Sequence, residues 1–271
     1  MNTVAGLFSS LPMSTELLIL LSLVLIFHVV RFIRRHSPAS VYTKAELESF
    51  SEAAEKAFGE SDSVFHEPFS PDLHIDILRI PPQENCPFIT LCTMGVGAHR
   101  MTVPEEELQE AAEKDEKLRS FLFPGHDRVE LLMYLPADRD PRNRQEGLNR
   151  EELERLFAPI GILKNTACAM VAMDTWYAFS HTVSTGESLR PGSPYTAVAF
   201  ASPLPDCAVP GFTLKAGEKD VSVLMLLPLT QEEYDTVKEK SPEDSMAWLQ
   251  SLLPAEPDSL HTFIDERMKK L

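Results

Sequence analysis

His74 and Asp76 are the residues whose types and spacing could most readily do chemistry. Two apart on an extended segment, they face the same way. An imidazole and a carboxylate so placed could begin a metal site or orient a water, but a metal site needs a third ligand. His99, His126 and His181 could serve only if the fold brought one of them close. The catalytic reading open to this chain is therefore a metal-assisted hydrolase using His74, Asp76 and His181. The simpler reading makes His74 and Asp76 a hydrogen-bonded pair on a strand, or part of a binding face.

Other motifs lead away from catalysis. His126-Asp127 precedes a strand rather than lying on a helix, which does not suit a helical metal centre. Gly95-Val96-Gly97 is too short for a phosphate fingerprint and reads as a turn. There is no G-x-S-x-G elbow and no P-loop. Cys86, Cys92, Cys168 and Cys207 form no C-x-x-C pair, and none has an evident activating base. Cys168, in an apolar helical stretch, is expected to be a buried small hydrophobe. The expectation is no catalytic, cofactor or metal site. Trp176-Tyr177 and Phe179-Ser180-His181-Thr182 form the most aromatic local cluster. Trp176, His181 and Thr182, with His74 and Asp76, are the candidates for contact with a protein partner. The competing expectation is that Trp176 and Phe179 are core while His181 and Thr182 hold a turn.

The elements that must position these residues follow from periodicity. A helix is expected over Lys44–Phe58, ended by Gly59. Strands are expected over Leu73–Ile80, Phe88–Met94 and Arg128–Leu135, each bounded by Pro or Gly. Pro104–Leu118 is acidic and permits a helix, and Ala137–Gly147 reads as a loop. Asn149 should cap a long helix reaching Met173, kinked near Pro159 and Gly161. Ala197–Ala201 and Val221–Leu227 are apolar runs of buried-strand length. Helices over Gln231–Lys240, Pro242–Leu253 and Asp258–Lys269 close the chain. Interspersed strands and helices predict an α/β (α+β) layered domain with a mixed sheet.

Leu17 to Val30 stands apart, with Ser22 and His28 its polar residues. Its twelve apolar residues, Leu21 and Leu25 among them, favour membrane insertion by roughly 4–7 kcal/mol. Flanking residues from Leu11 to Ile33 extend it to spanning length. Arg31, Arg34 and Arg35 follow the run and no Lys or Arg precedes it, the reverse of a cleaved secretory signal. The positive-inside bias places everything after these arginines in the cytoplasm. The expected organisation is a transmembrane anchor and basic collar over 1–36, a linker over 37–42 and one domain over 43–271. The expected location is the inner (cytoplasmic) membrane, single-pass.

The whole chain has 271 residues, with 25 Lys+Arg against 41 Asp+Glu, a net charge of −16. Such a surface excludes a phosphate-tracking nucleic-acid binder and suits a basic protein partner.

Several blocks resemble the suppressor-of-fused family in order. They begin with His74-Ile75-Asp76-Ile77 followed by Pro81-Pro82, and continue with Phe88–Gly95, Met101 and Pro104. Glu130-Leu131 and Leu135-Pro136 come next. Then follow Phe179-Ser180-His181-Thr182-Val183 with Gly186 and Pro191–Pro194, and finally Leu226–Thr230 with Glu232-Glu233. The resemblance spans about residues 45–255. Ser180 stands where the family usually has Gly, and Val96-Gly97 where it has Met-Ser. The resemblance implies a non-catalytic domain that binds another protein or an extended peptide. In animal relatives the peptide is held as an added strand. The chain looks like the bacterial single-lobe form, which is often associated with toxin immunity.

Overall fold

The computed structural model describes residues 41–66, 73–104, 106, 109, 127–142, 147–207 and 211–271. The expected anchor, with Leu17, Leu21, Leu25, Val30, Arg31, Arg34 and Arg35, lies outside these residues. So does nearly all of the acidic stretch from 105 to 118.

Helix α1 spans Lys44–Phe58 and begins at a capping box, in which Thr43 and Glu46 each satisfy the other's backbone N–H. Gly59 stops it at φ 104°. Eight strands form one mixed sheet: β1 Ser63–Phe65, β2 Asp76–Ile80, β3 Ile89–Met94, β4 Val129–Leu135, β5 Thr182–Ser184, β6 Tyr195–Ala201, β7 Thr213–Ala216 and β8 Lys219–Thr230. The order across the sheet is β1-β2-β3-β4-β8-β6-β5, and β7 pairs with β8. The pairings are antiparallel except β4 with β8, where Val129 to Leu132 run alongside Ser222 to Met225. The mixed α/β class is thus the one expected. His74 sits two residues ahead of β2, so that strand is shorter than its periodicity suggests.

All residues of β2 and β4 are buried, and β3, β6 and β8 nearly so. Strands buried on both faces need cover on both faces. Helix α2 spans Arg150–Met173, α3 Gln231–Val237, α4 Pro242–Leu252 and α5 Pro257–Lys270. Helix α1 packs on β3 and β7, α2 and α5 on β4, and α3 on β6 and β8. Helix α2 starts at Asn149 as expected and continues through the buried Pro159 without breaking into two elements. It is long and apolar enough to cross a membrane by length and composition. Its Ile162, Leu163, Ala167 and Met170 instead join the core. Cys168 points outward, contrary to the expectation of burial: it lies on the face opposite that core stripe.

Two side chains that look out of place in apolar strands hold the core together. Arg79 in β2 is buried and grips Asp140 with two nitrogens, at 3.1 and 2.8 Å, while a third meets Asp62 at 2.6 Å. Arg142 closes the network on the same two aspartates. The buried pair Arg79–Asp140 is thus matched and hydrogen-bonded, and the more exposed Asp62 and Arg142 complete the network. Glu130 in β4 is fully buried and accepts N–H bonds from Gly95 and Gly97 at 2.9 Å and Val96 at 3.3 Å, and the Thr93 hydroxyl at 2.6 Å. The Gly-Val-Gly turn thus forms an anion nest filled by the chain's own carboxylate. Gly95, at φ 124°, is irreplaceable there, because a Cβ would fall 2.2 Å from the His74 carbonyl oxygen.

Candidate functional site

Helix α2 delivers the site. It ends at Asp174 in the left-handed conformation, φ 49°, whose N–H bonds back to the Met170 and Val171 carbonyls. The chain then passes through Thr175 and Trp176 outside any regular element. Tyr177 turns into the core, stacking on Phe200 at 4.5 Å between ring centroids and donating its hydroxyl to the Thr166 carbonyl at 3.0 Å. Ala178 to His181 then forms a tight turn closed by the His181 N–H on the Ala178 carbonyl at 3.2 Å. Its third residue, Ser180, has φ 66°. A type II turn demands positive φ at that position and favours Gly there. Ser180 is thus a serine held in a glycine conformation by the backbone bonds that tie 180 and 181 to Phe200.

Beyond the turn, β5 pairs with β6, Thr182 opposite Ala199 and Val183 opposite Val198. It is the last strand of the sheet, and no described residue pairs with its outer edge. Beside it opens a cleft of about 330 Å³. One wall is Trp176, Ser180, His181, Thr182 and Val183; the other is Val237, Lys238, Lys240, Pro242 and Ser245, from the α3–α4 junction. That junction is placed by two caps. Thr230 and Glu233 start α3 straight off the end of β8, and Ser241 with Pro242 starts α4.

The rings of Trp176 and His181 meet edge to face, 4.3 Å between centroids. Burial pushes the imidazole down to about 4, against a weaker opposing effect of its hydrogen bond to the Trp176 backbone. At neutral pH His181 is therefore an uncharged, largely apolar wall with one polar edge. Phe179 is core, as one expectation had it, whereas Trp176 is half-buried and open to the cleft.

The structure brings Trp176, His181 and Thr182 together, and leaves His74 and Asp76 elsewhere. Strands β3, β4, β8 and β6 stand between β2 and β5. At about 4.8 Å per strand, the separation is on the order of 20 Å. The three-residue hydrolase site of His74, Asp76 and His181 does not form. Asp76 Oδ1 instead receives two imidazoles, His66 Nδ1 at 3.2 Å and His74 Nε2 at 3.5 Å. Among the described residues, no set of three His, Cys, Asp or Glu side chains is arranged to hold a metal.

Lys238 and Lys240 were missed from the sequence, because their position opposite His181 depends on where β8 hands over to α3. The short strand β5 was missed too, since its three residues run directly into the Ser184-Thr185-Gly186 turn.

The family model for suppressor of fused protein matches residues 71–260, which include both β2 and the cleft. The chain belongs to the suppressor of fused family. Solved suppressor of fused structures are only distantly similar. A homologue from Neisseria gonorrhoeae is 14% identical at a TM-score of 0.44, covering 74% of this chain and 87% of its own. A chain of the Sufu–Fu complex structure is 11% identical at 0.46, covering 77% and 84%. Drosophila Suppressor of fused is 12% identical at 0.39, covering 65% and 38%. No curated protein matches the chain.

Proposed function

We propose that this suppressor of fused domain is a non-catalytic module that captures or neutralises a protein partner, held at the cytoplasmic face of the inner membrane by its N-terminal segment. The observation that carries the reading is the edge of β5, paired by no described residue, beside the Trp176–His181 cleft. An extended peptide laid on such an edge gains main-chain hydrogen bonds, and the cleft reads one of its side chains. A half-buried Trp beside a neutral His is the kind of anchor pocket in which binding energy concentrates. The apolar run from Leu17 to Val30 and the arginines after it support anchoring with the domain inside. The excess of acidic side chains suits a basic partner, drawn in by its field. Toxin immunity is the physiological role we favour, on family resemblance.

The test is co-purification of the full chain from its native membranes, with Trp176→Ala as control. A partner retained by the natural chain should be depleted at least about tenfold in the variant, the loss of a pocket anchor. Equal recovery would move the binding surface elsewhere.

A further inference from the structure

The cleft differs in charge from the rest of the molecule. The chain carries 41 Asp+Glu against 25 Lys+Arg, yet the cleft lining holds Lys238 and Lys240 and no carboxylate. Lys238 lies 2.8 Å from Asp235, which shares its charge. Lys240 is exposed and forms no ion pair with a described residue. The rest of the lining combines apolar side chains, Met173, Trp176, Val183 and Val237, with the hydroxyl-bearing residues Thr175, Ser180, Thr182 and Ser245.

Resting on the reading of β5 as the docking edge, we propose that the cleft takes a locally acidic segment of the partner: an extended stretch with an aromatic or large apolar side chain and an Asp or Glu two residues from it. Alternate residues of a strand point the same way, about 6.5 Å apart. One such residue can therefore fill the apolar part while the next on that face reaches the lysine rim. A cavity of about 330 Å³ has room for one aromatic side chain with a short acidic neighbour. The long-range field and the cleft then select at different ranges. The acidic body draws a basic protein in, and the lysines choose which of its segments docks.

The experiment titrates the full chain with dye-labelled, capped peptides of Ser and Thr carrying Phe and, two residues on, Glu, read by fluorescence anisotropy. A second peptide has Gln in place of Glu, and a third is the Glu peptide with N-methylated backbone. The Glu peptide should bind about fivefold more tightly than the Gln peptide, the effect of one exposed ion pair. That difference should vanish in Lys238→Gln/Lys240→Gln, whose melting temperature stays unchanged because both side chains are exposed. N-methylation should abolish binding. Equal affinity of the Glu and Gln peptides overturns the acidic preference and leaves edge docking standing. Undiminished binding of the N-methylated peptide overturns edge docking, and the proposal with it. No binding by any peptide at millimolar concentration overturns both. Self-association of the chain that is lost in the double lysine variant would make a second copy the occupant and overturn the proposal.

Discussion

Ser180 holds φ at 66° in a turn that favours glycine at that position. Removing its Cβ should relieve the strain, partly offset by greater freedom in the unfolded chain. Ser180→Gly should raise stability by up to about 1 kcal/mol in urea denaturation, while Ser180→Val should lower it, since a β-branched residue resists that conformation. Glu130 makes the opposite case, a residue whose replacement by a near-isostere should be costly. Oε1 accepts from Gly95 and Gly97, and Oε2 from Val96 and Thr93. In Glu130→Gln one of those oxygens becomes an amide donor facing donors. The loss should be about 1–3 kcal/mol in the same assay, the cost of a buried N–H left without an acceptor. Glu130 and the buried Arg79 both left a trace in the sequence. Glu130 is the one charged residue in Val129–Leu135, and Arg79 stands between Leu78 and Ile80 in the apolar part of Asp76–Ile80; a charge set in such a run is the signature of one buried with its partner. Which partner could not be read, because Thr93, Gly95 and Asp140 are brought close only by the register of the sheet.

Elements decide how the protein responds to acid. Burial holds His181 at about 4, below its ordinary 6.5, so the unfolded chain takes up this proton first as pH falls. The neutral ring's contribution is complete above 6.5 and is lost progressively toward 4. From this group alone, stability at pH 5 should be on the order of 2 kcal/mol below its value at pH 8. His99, also lowered by burial, acts in the same direction. Asp62 and Asp140 lie below 3.8 because, despite burial, hydrogen bonds and charge from Arg79 and Arg142 favour their ionised forms, so their share is lost only in stronger acid. Denaturation midpoints followed from pH 8 to pH 4 should therefore fall, and His181→Gln should flatten the slope between 6.5 and 4. An unchanged slope would mean that His181 titrates normally. The helices and long strands behind this behaviour were legible because caps, glycines and apolar runs are local signals. Strands β1, β5 and β7 were not: each has three or four residues, too few for a period, and exists because a longer neighbour pairs with it. For the same reason the cleft was half visible. Trp176, His181 and Thr182 are adjacent in the chain, whereas the lysine wall arrives from some sixty residues on.

At the scale of the whole molecule, charge and topology make two demands. A reporter fused after Leu271 should be active in the cytoplasm and silent outside, and changing Arg31, Arg34 and Arg35 together to Glu should scramble that orientation without altering the domain's melting temperature. For a basic partner, raising salt should slow association markedly and change dissociation less, because the acidic surface acts mainly on encounter. Docking at the β5 edge is tested most directly by site-specific photocrosslinking in living cells, with a benzophenone amino acid placed at Val183 on β5 or at Val64 on β1, the opposite edge of the sheet. Docking at β5 predicts one discrete protein adduct from position 183, absent from position 64 and lost when Trp176 is also changed to Ala. Adducts of equal yield from both edges, or from position 64 alone, would contradict it.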